Sequence, residues 1–203
     1  MAADHDTLLA GFAALAGPGA RDVGEELLAR WGEPHRHYHN VAHLAAVLER
    51  LEPLREYADD PVAVALAAWF HDAVYDPYAS DNEEQSAALA EQLLPPGPRR
   101  AEVARLVRLT AGHDPADGDR NGAALCDADL GVLAEPPARY AAYAAAVRQE
   151  YGFVSDEDFR AGRAEVLRRL LVLPRLFRTP YGAEHWEATA RFNMHGELGL
   201  LTG

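Results

Sequence analysis

The chain has 203 residues, enough for one well-filled domain over 1–203, and carries 32 acidic against 19 basic residues for a net charge of -13; that charge repels a phosphate backbone and excludes a nucleic-acid scaffold role. Every basic residue is an arginine and none a lysine, which excludes Schiff-base and P-loop chemistries that need a lysine amine. Cys126 is the single cysteine, so neither an internal disulfide nor a cysteine-rich zinc site can form.

The opening MAADHDTLLAGF lacks the basic end and long apolar segment of a signal peptide, and no run is long enough for a bilayer. A cytoplasmic protein with no membrane partner is expected. Leu8, Phe12 and Leu15 predict a first helix stopped by Gly17 and Pro18, and Val23, Leu27, Leu28 and Trp31 a second stopped by Gly32 and Pro34. A polar, histidine-rich segment, Glu33 to His39, follows. Val41, Leu44, Ala45, Leu48 and Leu51 mark a third helix.

The fourth helix, from Val62, is almost entirely apolar and ends on Phe70-His71-Asp72, with Pro77 closing the segment. Asn82 is a candidate cap for a fifth helix reaching Leu94 before the breaker at Pro95 to Pro98. A sixth is expected over Arg99 to Ala111, then a flexible connection from Gly112 to Gly122, and a short helix around Leu125 to Leu133. Pro136 and Pro137 open another to about Tyr151. Ser155 with Asp158 resembles a capping box for the next, to Leu173, and a last helix covers Ala183 to Leu200. The pattern is all-α, with about nine to ten helices in a single domain.

A His-Asp pair at the end of an apolar run faces a desolvation cost of a few kcal/mol unless something compensates it, and a divalent cation is a common compensator. His71 and Asp72 point about 100° apart on a helix and can straddle one ion. His39 and His43 stand one helical turn apart and can share a cavity if the helix begins near Asn40; solvated loop and helix histidines are the alternative. Asp127 and Asp129 are equally ambiguous, because acidic residues at a helix start are favoured by the macrodipole alone.

The order His43, His71-Asp72, late aspartate resembles the H...HD...D signature of the HD-domain metal-dependent phosphohydrolases. Tyr38-His39-Asn40-x-x-His43, Phe70-His71-Asp72, Tyr75-Asp76-Pro77, Asp81-Asn82-Glu83 and Asp127-Ala128-Asp129-Leu130 look like the small bacterial predicted HD-superfamily phosphohydrolases. The likeness extends to Arg148-Gln149-Glu150-Tyr151, Gly162-Arg163 and Ala190-Arg191-Phe192-Asn193. It implies an HD-type helical bundle whose first metal is held by His43, His71, Asp72 and Asp129. Asp129 is preferred because Ala-Asp-Leu resembles the place of the last ligand in cyclic-nucleotide phosphodiesterases and (p)ppGpp hydrolases of the superfamily, with Asp127 as the fallback.

The same resemblance makes His39 a general-acid candidate, since the first histidine of the phosphodiesterase YHN-x-x-H string protonates the leaving oxygen. Asp76 sits near a catalytic Glu-Asp pair of the (p)ppGpp hydrolases, but Tyr75 replaces its first member, and Asp76 is also a natural turn former before Pro77. Imidazole and carboxylate ligands together suit manganese, iron, zinc, cobalt or nickel, as one ion or as two bridged by Asp72. Arg36, Arg163 and Arg191 are candidate phosphate contacts, Asn82 and Glu83 candidates for the rim, and His113 a further ligand or substrate contact.

The function implied is hydrolysis of a phosphomonoester or phosphodiester of a nucleotide or related small metabolite by metal-activated water. Two other activities share the ligands: a metal-retaining sensory module without turnover, and a di-iron oxygenase. Oxygenases of this type use extra histidines between the HD pair and the final aspartate, where this chain has only His113. Oligomeric state is left open, with the alanine-rich helical surface near Tyr181 and Trp186 a candidate homodimer face.

Overall fold

Residues 5–17 and 19–203 are described by the computed structural model; the first four residues of the opening segment and Pro18, expected to help stop the first helix, lie outside them. Among the described residues there are eleven α-helices, two 3₁₀ turns and no strand, so the all-α expectation holds with one helix more than counted. They are α1 (His5–Ala16), α2 (Arg21–Trp31), α3 (Val41–Leu54), α4 (Pro61–Phe70), α5 (Asn82–Leu93), α6 (Pro98–Leu109), α7 (Arg120–Leu130), α8 (Pro137–Glu150), α9 (Asp156–Val172), α10 (Pro180–His185) and α11 (Glu187–Thr202). No described helix is long and apolar enough to cross a membrane.

Helix α4 is the axis of the domain. The Asp60 side chain accepts from the Ala63 amide at 3.0 Å and Pro61 occupies the first turn, so the start is capped and preset. Ala63, Val64, Leu66, Ala67, Ala68, Trp69 and Phe70 are all buried, and a helix apolar on every side is stable only when other helices surround it. Helices α1, α3, α5, α6 and α7 do so. Each large side chain buried there, such as Leu44, Leu106 or Leu125, contributes about 1.5–3 kcal/mol. His71 and Asp72 therefore emerge in the middle of the molecule.

A second, smaller apolar cluster joins the 3₁₀ turn Gly131–Ala134 to α8, α9 and α11 through Leu133, Tyr140, Leu167 and Met194. Trp186 packs against both clusters. That explains the break in the helix expected over Ala183 to Leu200: the chain starts helical at Pro180 behind the Thr179 cap, is interrupted at Trp186 and resumes as α11. The Glu187 carboxylate accepts from the Leu176 and Phe177 amides, fixing the second start. Tyr181 and Trp186, candidates for a dimer face, are half-buried against the core.

Two other boundaries moved. Helix α7 begins at Arg120, five residues before Leu125, because Asp119 caps it by accepting from the Gly122 amide at 2.9 Å. Asp81, not Asn82, occupies the cap position of α5. The expected capping box at Ser155 is present, its hydroxyl receiving the Asp158 amide and donating to the Asp158 carboxylate.

Candidate metal centre

The centre lies where three helices meet, and two of their ends set its histidines. Asn40 caps α3, its Oδ1 accepting from the Ala42 amide at 2.9 Å, so the helix starts where a shared His39 and His43 cavity requires. His43 then lies in the first turn and points inward. At the other end, His71 continues the last turn of α4, and its Nδ1–H donates to the Ala68 carbonyl at 2.8 Å. That bond satisfies a carbonyl orphaned by the helix end and leaves Nε2 facing the interior.

Four side chains from α3, the end of α4 and α7 converge there. His43, His71 and Asp72 each offer a ligand atom, all within 4.8 Å of one another. The two Nε2 atoms are 3.2 Å apart, and Asp72 Oδ2 is 3.1 Å from His71 Nε2 and 3.8 Å from His43 Nε2. Asp129 Oδ1 is 3.1 Å from His43 Nε2 and 3.6 Å from His71 Nε2. His113 donates from Nε2 to Asp129 Oδ2 at 2.7 Å; it lies behind the carboxylate, in a backbone conformation with φ of 49°. His43 Nδ1 is buried without a hydrogen-bond partner, so packing aims this ring: the Tyr38 ring lies 4.6 Å away and the Trp31 ring 6.1 Å away.

The electrostatics of the four groups match a cation. Burial disfavours charge on both imidazoles. At His43 burial prevails and its pKa is lowered; at His71 the charges of Asp72 and Asp129 outweigh burial and raise it well above the usual range. Both carboxylates are held low against burial, chiefly by His71. A buried cluster that draws a proton onto one imidazole offsets only one of its two carboxylates, and a dication accepting both Nε2 lone pairs would offset both. The nitrogen and oxygen donor set fits manganese, iron, zinc, cobalt or nickel.

Beside the cluster stands an arrangement that spacing does not reveal. Glu150, at the end of α8, is buried and collects five donors. Oε1 accepts the amides of His37, Tyr38 and His39 at 2.9, 2.8 and 2.9 Å. Oε2 accepts His39 Nδ1–H at 2.7 Å and the Tyr75 hydroxyl at 3.0 Å. The Tyr75 ring stacks on His39 at 4.3 Å, and His39 lies edge-on to His43 at 5.8 Å. Burial raises the Glu150 pKa, but these donors, led by His39, overcome it and hold the carboxyl at about 2. Burial likewise disfavours charge on His39, and the bond to Glu150 with the charge of Asp72 reverses it, raising its pKa. No sequence signal assigned Glu150 a role, although it lies in the Arg148-Gln149-Glu150-Tyr151 segment.

The remaining candidates separate by what they touch. Arg36, expected on substrate phosphate, is buried with its guanidinium committed to Glu33 and to the carbonyls of His39, Asp72 and Ala73. It ties the histidine loop to the turn after α4. Asp127, the fallback ligand, is fully buried and accepts from the amides of Arg178 and Thr179 and the Thr179 hydroxyl, facing away from the cluster. Asp76 accepts from the Tyr78 amide, and Asn82 bridges the Asp76 amide and carbonyl. Both build the 76–82 turn, where Glu83 follows half-buried on the first turn of α5. Arg163 pairs with Glu197 at 2.7 Å, and Arg191 with Glu187 at 2.7 Å and the carbonyls of Leu171 and Leu173.

No protein-family model, curated protein or solved structure matches this chain.

Proposed function

We propose that the chain is a metal-dependent phosphohydrolase of HD type, acting on a phosphomonoester or phosphodiester of a small metabolite. The observation that carries the proposal is the cluster of His43, His71 and Asp72, whose ligand atoms lie within 4.8 Å of one another, with Asp129 from a third helix reaching both histidines and His71 Nε2 presented by the bond from its Nδ1–H to Ala68. These four residues would hold the metal. A divalent transition ion bound by them supplies Lewis acidity toward a phosphoryl oxygen and brings the pKa of a coordinated water toward neutrality.

The chain's own groups carry the rest. Glu150 keeps the proton of His39 on Nδ1 and favours the doubly protonated ring, so that Nε2–H is available to the leaving oxygen. Tyr75 holds the face of that ring and the second lone pair of Glu150 Oε2. His113 fixes the free oxygen of Asp129, which keeps Oδ1 turned to the histidines. Arg36 locks the loop bearing His39 against the backbone of Asp72, so proton donor and ligands keep one spacing.

The test is a panel of phosphorylated metabolites assayed with added manganese, nickel or cobalt, comparing wild type with Asp72→Ala. Release of phosphate or of a phosphomonoester by the wild type alone supports the proposal. Metal retention without turnover across the panel points to a sensory module, and oxygen consumption by iron-loaded protein to an oxygenase.

A further inference from the structure

Between α8, α9 and the Tyr38-His39 turn lies a cavity of about 540 Å³, within the range of sites that enclose small organic ligands. Tyr38, His39, Tyr143, Val147, Tyr151 and Phe159 are on its wall, which is mostly aromatic or aliphatic. Two of these residues, Tyr38 and His39, also stand beside His43 of the candidate centre. The Tyr38 ring lies 4.6 Å from that of His43 and 4.7 Å from that of Tyr143, and the His39 ring lies 5.8 Å from that of His43. Its one inner cation, Arg163, is neutralised by Glu197 and lies over the Tyr143 ring at 5.2 Å. Exposed Asp158 and Arg169 contribute one charge of each sign, so nothing in the groove selects a polyanion.

Resting on the phosphohydrolase reading above, we propose that this groove holds the leaving group, and that the substrates are phosphate esters of uncharged, ring-bearing alcohols. The group that protonates the leaving oxygen must touch it, so the leaving alcohol lies against His39, and the groove that His39 lines is where its rest can be buried. In the reaction, the oxygen of water forms a bond to phosphorus. The ester P–O bond breaks with its electron pair on oxygen, that oxygen takes the proton from His39, and the proton lost by the water restores His39. An alcohol and inorganic phosphate leave.

Gly162 gives direct access to the groove. It lies inside α9 and on the cavity wall, and a Cβ built there meets no atom within 4 Å. A larger residue at 162 therefore fills part of the groove without a clash at Cβ and replaces a glycine that weakens the helix.

The experiment compares 2-phenylethyl phosphate with ethyl phosphate, whose leaving alcohols have similar intrinsic reactivity, using manganese-supplemented wild type and Gly162→Phe. In parallel, calorimetry measures binding of 3-phenylpropylphosphonate and propylphosphonate, which are not hydrolysed. Burial of one phenyl ring predicts kcat/KM about 30-fold higher for the phenylethyl ester in wild type and a preference about tenfold smaller in Gly162→Phe. Equal kcat/KM for the two esters, or an undiminished preference in the variant, overturns the proposal. If neither ester is hydrolysed, the metabolite panel judges the phosphohydrolase reading and calorimetry judges the groove. Tighter binding of the phenyl phosphonate, weakened by Gly162→Phe, sustains the subsite; equal binding of both phosphonates, or none, overturns it.

Discussion

Five donors on one buried carboxylate make Glu150 the most heavily bonded acid described in the molecule, and its replacement is correspondingly informative. In Glu150→Gln an amide NH₂ must face donors that need an acceptor, which is expected to destabilise the fold by about 2–4 kcal/mol in denaturant titration. The pH dependence has a definite sign. The folded value, about 2, lies below the ordinary 4.5, so the contribution is fully present above pH 4.5 and is lost as pH falls toward 2. Acid titration of wild type should show this loss, and the Gln variant should show less of it. If phosphoester hydrolysis is established, His39→Gln is expected to lower kcat by about 10²–10⁴ while leaving metal content at the wild-type level. Loss of the metal together with the rate would make His39 a ligand rather than a proton donor.

At the scale of the element, two residues apart on a helix means about 200° of rotation. Asp127 and Asp129 thus cannot both face the centre. One end of α7 presents Asp129 to the histidines while Asp127 receives the start of α10. Spacing alone left the two open and only the resemblance preferred Asp129, because the choice depends on where α10 packs. Asp127→Ala is expected to keep the metal and to lose about 2–4 kcal/mol of stability, since three donors lose their acceptor; an unchanged melting temperature would deny it that role. Gly182 belongs to the same junction: a Cβ there would stand 2.6 Å from Asp127 Oδ2 and 2.8 Å from Phe177 Cβ. Gly182→Ala should therefore cost about 1–3 kcal/mol, measured by thermal unfolding.

Some helix starts were legible from local signals: the helix start near Asn40 and the cap of Ser155 with Asp158 act within a few residues of themselves. Other caps just as local, Asp60 of α4 and Asp119 of α7, were not read. Partners far apart in the chain were not legible. Arg36 reads as a free cation in the sequence, but its partners include carbonyls 36 and 37 residues away. Glu150 bonds to amides more than 110 residues away, and no spacing rule connects them. The break at Trp186 has the same origin, since two apolar clusters compete for one indole.

Across the whole molecule, the HD pair was legible because α4 is apolar on every side and must be central, which forces whatever follows it into the interior. The cost of placing two carboxylates and two imidazoles there is offset when a dication joins them. Bound metal should therefore raise stability by about 2.7 kcal/mol at a free concentration one hundred times the dissociation constant. Scanning calorimetry with and without a chelator checks this.

The most direct measurement is the metal content of protein loaded with manganese, desalted and analysed by mass spectrometry, for wild type, Asp72→Ala and Asp129→Ala. The predicted result is at least about one ion per chain in wild type and a loss of most of it in both variants, with folding confirmed by circular dichroism. A wild type that emerges without metal, or variants that retain the full complement, would contradict the convergence of these four side chains on a cation.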